Sequence, residues 1–364
     1  MSPPFSVRLA TEADNEQLLA LTRLCPNEGS IAFCTERDPR FFALTELQGD
    51  PTYVAVAEDG QGRVVGCASL ALRRVYVDGN ETPCLYAGDL KVAPDARGST
   101  IVHRLHDLLA EAVHDLPVDL GYTSIVVGNS AANALVGSRR GMPLYRPLGR
   151  IRVCALLGSS LRTGRASDGV STATDDDVPE IVALLNRFNA GHNFAPVWTE
   201  ATFARAAEAP GLSLDRFRLA REGGRLVGVL AAWNQNAFQR TRLLAYPRSL
   251  SAYRSLHNLS ARVRREPSLP PPGGILEQLY VTHIAIDGSR PSVLDRLLAS
   301  VLRESRGRFV LTFGLAEGHA LIEGLRAFRV RWFPTVVHAL TRPASRWARH
   351  DFSSRPLFHE ISHL

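Results

Sequence analysis

The feature that most constrains this chain is that it carries the same pattern twice. Val7-Arg-Leu-Ala10-Thr11-Glu-Ala-Asp14 returns as Val170-Ser-Thr-Ala173-Thr174-Asp-Asp-Asp177, and each is followed by apolar residues at helical spacing: Leu18, Leu21 and Leu24, then Ile181, Leu184 and Leu185. In both copies Thr-x-x-Asp stands where a helix should begin. The hydroxyl caps a free backbone N–H, and the carboxylate faces the positive end of the helix. A strand, turn, strand pattern follows in each: Tyr53 to Glu58, Asp59 to Gly62 and Arg63-Val-Val-Gly66, then Phe217 to Glu222, Gly223-Gly224 and Arg225-Leu-Val-Gly228. Late in each copy an apolar strand runs into a glycine and a helical segment (Ile125 to Leu135; Leu311 to Leu321), then a closing strand at Ile151 to Leu157 or Val336 to Leu340. Matched segments in one order predict two copies of a β-α-β-β-β-α-β-α-β unit.

At 364 residues the chain is long enough for two such units, each with its own core. The division expected is 1–157, a Gly/Ser-rich linker at 158–169, a second unit at 170–342 and a tail at 343–364. The second unit also carries an insertion at 247–274, read as a helical stretch ending in Pro270-Pro-Pro-Gly-Gly274. The fold class is α+β, each unit a mixed, mostly antiparallel sheet flanked by helices.

Charge excludes one broad class. The 42 Lys and Arg against 36 Asp and Glu give +6, but Lys91 is the sole lysine and the arginines are scattered; their densest run is Arg262, Arg264 and Arg265. That is not the basic stripe of a nucleic-acid binder, so no such partner is expected. Five cysteines without a C-x-x-C pair read as reduced thiols. With no signal-like N-terminus and no long apolar run, a cytoplasmic protein without a membrane span is expected.

The segment with chemical content lies in the first copy. The strand Leu85-Tyr-Ala-Gly-Asp89-Leu-Lys-Val92 enters Ala93-Pro94-Asp-Ala-Arg97-Gly98-Ser99-Thr100-Ile101-Val102, and a helical pattern follows at Leu105, Leu108 and Ala112. A loop of small residues before a helix offers backbone N–H groups and a positive helix end to a phosphate, with Arg97 as a cation beside it. This segment resembles motif A of the GNAT family of N-acetyltransferases, Val-x-Pro-x-x-Arg-Gly-x-Gly-x-Gly followed by a helix: Val92, Pro94, Arg97 and Gly98 match in register. The order of elements matches too, over nearly all of Val7 to Leu157 and more weakly over Val170 to Leu340. Thr100 and Val102 replace the family's two later glycines.

The resemblance implies a tandem GNAT fold that takes acetyl-CoA, or another acyl-CoA, as cosubstrate and needs no metal. The pantetheine would pair with the strand around Asp89 to Val92, and the pyrophosphate would sit on Arg97, Gly98, Ser99, Thr100, Ile101 and Val102. Leu90, Lys91, Asn129 and Asn133 would line the same crevice. In that family a neutral amine attacks the thioester directly; Asp89 is the candidate base or amine-positioning group, and Tyr145 the candidate acid for the leaving thiolate. The corresponding loop of the second copy, Ile286-Asp287-Gly-Ser-Arg290-Pro291, loses Arg-Gly and gains a proline without an N–H, so that copy reads as structural or substrate-shaping.

The expected activity is acyl-CoA-dependent N-acyl transfer, acetyl first, to an amine of a small molecule or peptide. Two alternatives stay open: an inactive CoA- or metabolite-binding tandem module, and an aminoacyl or acyl transferase acting on lipid or peptide. His359-Glu-Ile-Ser-His363 spells H-E-x-x-H but sits in the tail, where the helix a zinc site needs would fray. His103 and His106 read as a polar helix face. Trp233 and Phe238 read as core aromatics, or as the lining of a substrate groove.

Overall fold

The computed structural model describes residues 5–28, 31–98, 100–129, 143–159, 169–246, 248–264, 266–305 and 307–363. The first copy runs β1 (Phe5–Leu9), α1 (Asn15–Leu24), β2 (Asn27–Glu28), β3 (Ala32–Glu36), α2 (Phe42–Gln48), β4 (Thr52–Asp59), β5 (Val64–Val77), β6 (Asn80–Val92), α3 (Ile101–Ala112), β7 (Leu120–Val126) and β8 (Leu144–Ser159). The second runs β9 (Val170–Thr172), α4 (Val178–Asn189), α5 (Glu200–Ala207), β10 (Phe217–Glu222), β11 (Arg225–Trp233), β12 (Arg240–Ala245), α6 (Arg248–Arg264), β13 (Gln278–Ile286), α7 (Pro291–Ser305), β14 (Val310–Ala316) and β15 (Phe328–Thr341). The helical segment expected around Ala134 to Arg140 lies outside the described residues; its counterpart is the 3-10 turn Ala320–Leu325.

The repeat is exact enough to be seen in the dihedrals. Thr11 and Thr174 both sit at φ −124°, ψ 172°, and each closes a capping box with the aspartate three residues on. Twelve strands form one sheet in the order β1-β4-β5-β6-β7-β15-β8-β14-β13-β11-β10-β9. Read from both edges this order is two-fold symmetric, with the axis between β15 and β8. Each copy has therefore exchanged its closing strand: β8 pairs with β14 of the second copy and β15 with β7 of the first. The two long strands also pair with each other from Phe328↔Ser159 to Thr341↔Leu144. The units are contiguous in sequence but interlocked in space.

One core lies between α1, α3 and the β4–β5 face, another between α7 and β11–β14. A third joins the copies, holding Tyr86, Tyr122, Val337, Trp347, Phe352 and Ile361. Trp233 and Phe238 are buried in this third core, as core aromatics. The tail does not fray: Trp347, Phe352, His359, Ile361 and Ser362 are all buried, and Gln48 donates to the His363 carbonyl at 2.7 Å.

Candidate functional site

In each copy the sheet splits open at the same place. β6 and β7 are parallel and pair only at Leu85↔Gly121 and Tyr86↔Tyr122; β13 and β14 pair only over Gln278–Tyr280 and Val310–Thr312. Beyond Tyr86 and Tyr280 the strands diverge. Next to each split lies a β-bulge, where two residues oppose one: Asp89 and Leu90 face Ala68 between the pairs Cys67↔Lys91 and Ser69↔Gly88, and His283 and Ile284 face Leu230 between Val229↔Ala285 and Ala231↔Thr282. The first bulged residue is left-handed in both copies, Asp89 at φ 55° and His283 at φ 51°. Leu85-Tyr86 and Leu279-Tyr280 are thus the same two residues of the repeat, a signal present in the sequence that marks where each sheet opens.

The two openings have different contents. The first leads into a cavity of about 1610 Å³; the second holds a void of about 20 Å³ between its strands and, outside it, a separate cavity of about 710 Å³ lined by Ile286, Asp287, Ser289, Ala316 and His319. The second is plugged by the tail. Leu357 bridges Asn193, and the Asn193 carbonyl accepts the Phe358 N–H at 2.8 Å. Ile361 lies so close to Gly314 of β14 that a Cβ there would stand 2.7 Å from its Cγ1. The H-E-x-x-H stretch ends in a 3-10 turn, Ile361–His363, not an α-helix, so its imidazoles do not share a helix face.

Burial holds His283 and His359 at about 3, far below the usual 6.5. Each is neutral in the folded chain and takes up a proton near pH 6.5 once unfolded, so this contribution is intact above pH 6.5. It is lost by ~1.4 kcal/mol per histidine per pH unit as the pH falls from there toward 3. Denaturant midpoints are expected to drop between neutral pH and about pH 5, and His359→Leu to make that drop shallower. A flat profile in the parent chain would contradict the burial.

The first cavity has a floor, a mouth and a roof. Its floor is the sheet itself, including Thr123, Ile125, Val153, Ala155 and Phe333. At its mouth lie Arg97, exposed, and Gly98 at φ 80° with open space where a Cβ would be. The roof is a small sheet, β2-β3-β12, made jointly by the two copies: Phe33 pairs with Leu243 and Thr35 with Thr241, and all four line the cavity. Arg37, immediately after β3, reaches down to the floor at the bulge, where its Nη1 donates to Asp89 Oδ2 at 2.7 Å. Lys91 Nζ donates to Oδ1 at 2.9 Å and the Ser69 hydroxyl to Oδ2 at 3.2 Å. Arg37 and Asp89 are 4% and 3% exposed. Burial alone would raise the Asp89 carboxyl, but the charges of Arg37 and Lys91 outweigh it and hold it well below the usual carboxylate range.

Several expected site residues line this cavity: Asp89, Leu90, Lys91, Val92, Arg97, Gly98, Val102, Asn129 and Tyr145. Ile101 has its side chain fully buried in the core under β4–β5, packed toward Gly66, so only its backbone faces the loop. Thr100 precedes α3 and makes no side-chain cap bond. Ser99 and Asn133 lie outside the described residues. Tyr145 is on β8, in the row Leu85–Gly121–Leu340–Tyr145, two strand spacings or ~10 Å from the vertex of the split; burial raises its hydroxyl. Arg37 was not legible, because nothing local distinguishes it from the other arginines.

A tandem α+β sheet that splits after its parallel strand pair, with an Arg-Gly turn heading the helix across the split, is the architecture of GNAT-fold acyltransferases. The acetyltransferase (GNAT) domain family matches residues 6–123, so this segment is a GNAT domain and the chain has the tandem GNAT fold. N-myristoyltransferase of Saccharomyces cerevisiae with bound myristoyl-CoA superposes with a TM-score of 0.62 at 12% identity, over 99% of this chain and 90% of that one. A GCN5-related N-acetyltransferase from Sphaerobacter thermophilus gives 0.54 at 14% identity, over 94% and 97%. A probable N-acyltransferase from Enterococcus faecalis gives 0.53 at 10% identity, over 92% and 72%. No curated protein is similar to the chain by sequence.

Proposed function

We propose that the protein is an acyl-CoA-dependent N-acyltransferase whose first copy, 1–157, binds the donor and whose second copy, 170–342, shapes the acceptor site. The observation that carries this reading is the asymmetry of the two splits: the one beside Arg97 and Gly98 opens into the large cavity, and the other is plugged. Among the described residues the edge of β6 beyond Tyr86 has no strand partner on its β7 side, so it can pair with the amides of an extended ligand. The turn at Arg97 and Gly98 suits a phosphate, since Gly98 presents backbone without a side chain and Arg97 adds a cation. Acyl-CoA would supply an activated acyl group there, acetyl being the simplest.

In the transfer, the amine nitrogen bonds to the thioester carbon as the C–S bond breaks; the amine loses a proton and the thiolate gains one. Asp89 is a weak base in its network, and its geometry suits a positioning residue that ties roof to floor through Arg37. The acceptor amine then enters neutral. Tyr145, kept protonated by burial, is the residue we assign to protonating the thiolate. The acceptor enters under the roof, among Phe33, Thr35, Thr241, Leu243, Gln278 and Tyr280.

Acyl-CoA at about a hundred times its Kd is expected to add about 2.7 kcal/mol to stability, read as a rise in thermal midpoint, and Arg97→Glu to abolish the rise. A series from acetyl-CoA upward sets the preferred chain. No shift with any CoA thioester would sink the donor assignment. A shift without transfer to a panel of amines would favour the binding module instead.

A further inference from the structure

The helix α6, Arg248–Arg264, belongs to the insertion and, among the described residues, is held through His257, Asn258 and Ala261. His257 and Ala261 are buried; His257 bonds the Pro267 carbonyl, and Asn258 exchanges two hydrogen bonds with Leu269 at 2.8 and 2.9 Å. On the opposite side, Leu256, Leu259 and Val263 follow at i, i+3 and i+7 and are 70%, 68% and 85% exposed. The other large apolar residues recorded as exposed reach at most 53%. Such a stripe is not what a water-facing helix carries. Its flanks are basic: Arg262 and Arg264 are exposed, no described residue forms an ion pair with them, and the helix contains no acidic residue.

We infer that α6 docks the protein on the surface of an anionic lipid bilayer, with Leu256, Leu259 and Val263 below the headgroups and the arginines at the level of the lipid phosphates. An amphipathic helix with an apolar stripe, basic flanks and a fixed scaffold behind it fits that partner. A second copy fits less well, because it would bring arginine against arginine across the contact. Insertion also needs no spanning segment, and no described helix is long and apolar enough to cross a membrane. The placement has a consequence for access. Tyr246 and Leu269, on either side of the helix in sequence, both line the cavity, so docking sets the roof side of the cavity at the lipid surface.

The test is cosedimentation of the full chain with phosphatidylcholine vesicles and with mixed phosphatidylcholine–phosphatidylglycerol vesicles, at low and high salt. The chain is expected to pellet with the mixed vesicles at low salt, and much less with the neutral ones or at high salt. Leu256→Ser/Leu259→Ser/Val263→Ser should weaken partitioning by about tenfold or more. Arg262→Glu/Arg264→Glu should weaken it by at least about 25-fold, about fivefold for each arginine. Unchanged thermal midpoints confirm that the variants fold; if the triple variant does not, Val263→Ser alone carries the test at the most exposed position. Failure to pellet with mixed vesicles, or pelleting that both variants leave intact, overturns the inference. So does a solution dimer that the triple variant dissociates, since a second copy would then be the occupant. None of these readouts depends on acyl transfer or on CoA.

Discussion

Asp89→Ala is expected to destabilise the protein by about 3–5 kcal/mol, because it leaves two cations, Arg37 and Lys91, beside a buried site with no counter-charge. The measurement is equilibrium denaturation; an unchanged midpoint would mean that the network does not hold roof to floor. A milder pair of variants separates the two roles open to Asp89. If it positions the roof, Asp89→Asn and Arg37→Gln break the same contact and lower kcat/KM by similar factors. If it is the base, the loss for Asp89→Asn exceeds that for Arg37→Gln by about 10²-fold or more. Loss of the proton from Asp89 is complete far below neutral pH, so stability from this network is present above the ordinary carboxylate range and declines only in strong acid, as pH falls toward the depressed value.

The second large effect is expected at the plug. Ile361→Ala should cost about 2–5 kcal/mol, since Ile361 is 4% exposed and fills the second split against Gly314. Gly314→Ala should also be costly, its Cβ meeting Ile361 Cγ1 at 2.7 Å and Ile151 Cγ2 at 2.8 Å. The two are expected to couple: Gly314→Ala costs less where Ile361 has already been shortened, because one of its two clashes is gone. Additive losses in denaturation would show that the tail does not pack into the split. If the plug alone denied the second copy a ligand, Ile361→Ala would restore a CoA-induced thermal shift to the Arg97→Glu background; the loop without Arg-Gly and with Pro291 is expected to leave that background without any.

Much of this protein is local and was legible as such. The capped helices after Thr11 and Thr174, the hairpins at Asp59 to Gly62 and Gly223-Gly224, and the Arg97-Gly98 turn depend on residues a few positions apart, and each stands where the spacing places it. The closing strands are longer than expected, Leu144–Ser159 and Phe328–Thr341, because each is hydrogen-bonded along both edges in the exchanged arrangement. The tail departs from the expected frayed helix because H-E-x-x-H lies not as a helix in water but in the gap of another strand pair, where His359, Ile361 and Ser362 are buried.

By itself the sequence determined a repeated α+β unit and the copy in which an Arg-Gly turn precedes the helix, because caps, turns and alternation are short-range interactions. Only the tertiary structure decided which split stays open, which groups bond Asp89 and how the copies join. Arg37 and Asp89 are 52 residues apart, and Gln48 and His363 are 315 apart. Contacts of that span are set by the packing of whole elements, through burial and shape, and no periodicity within either segment encodes them.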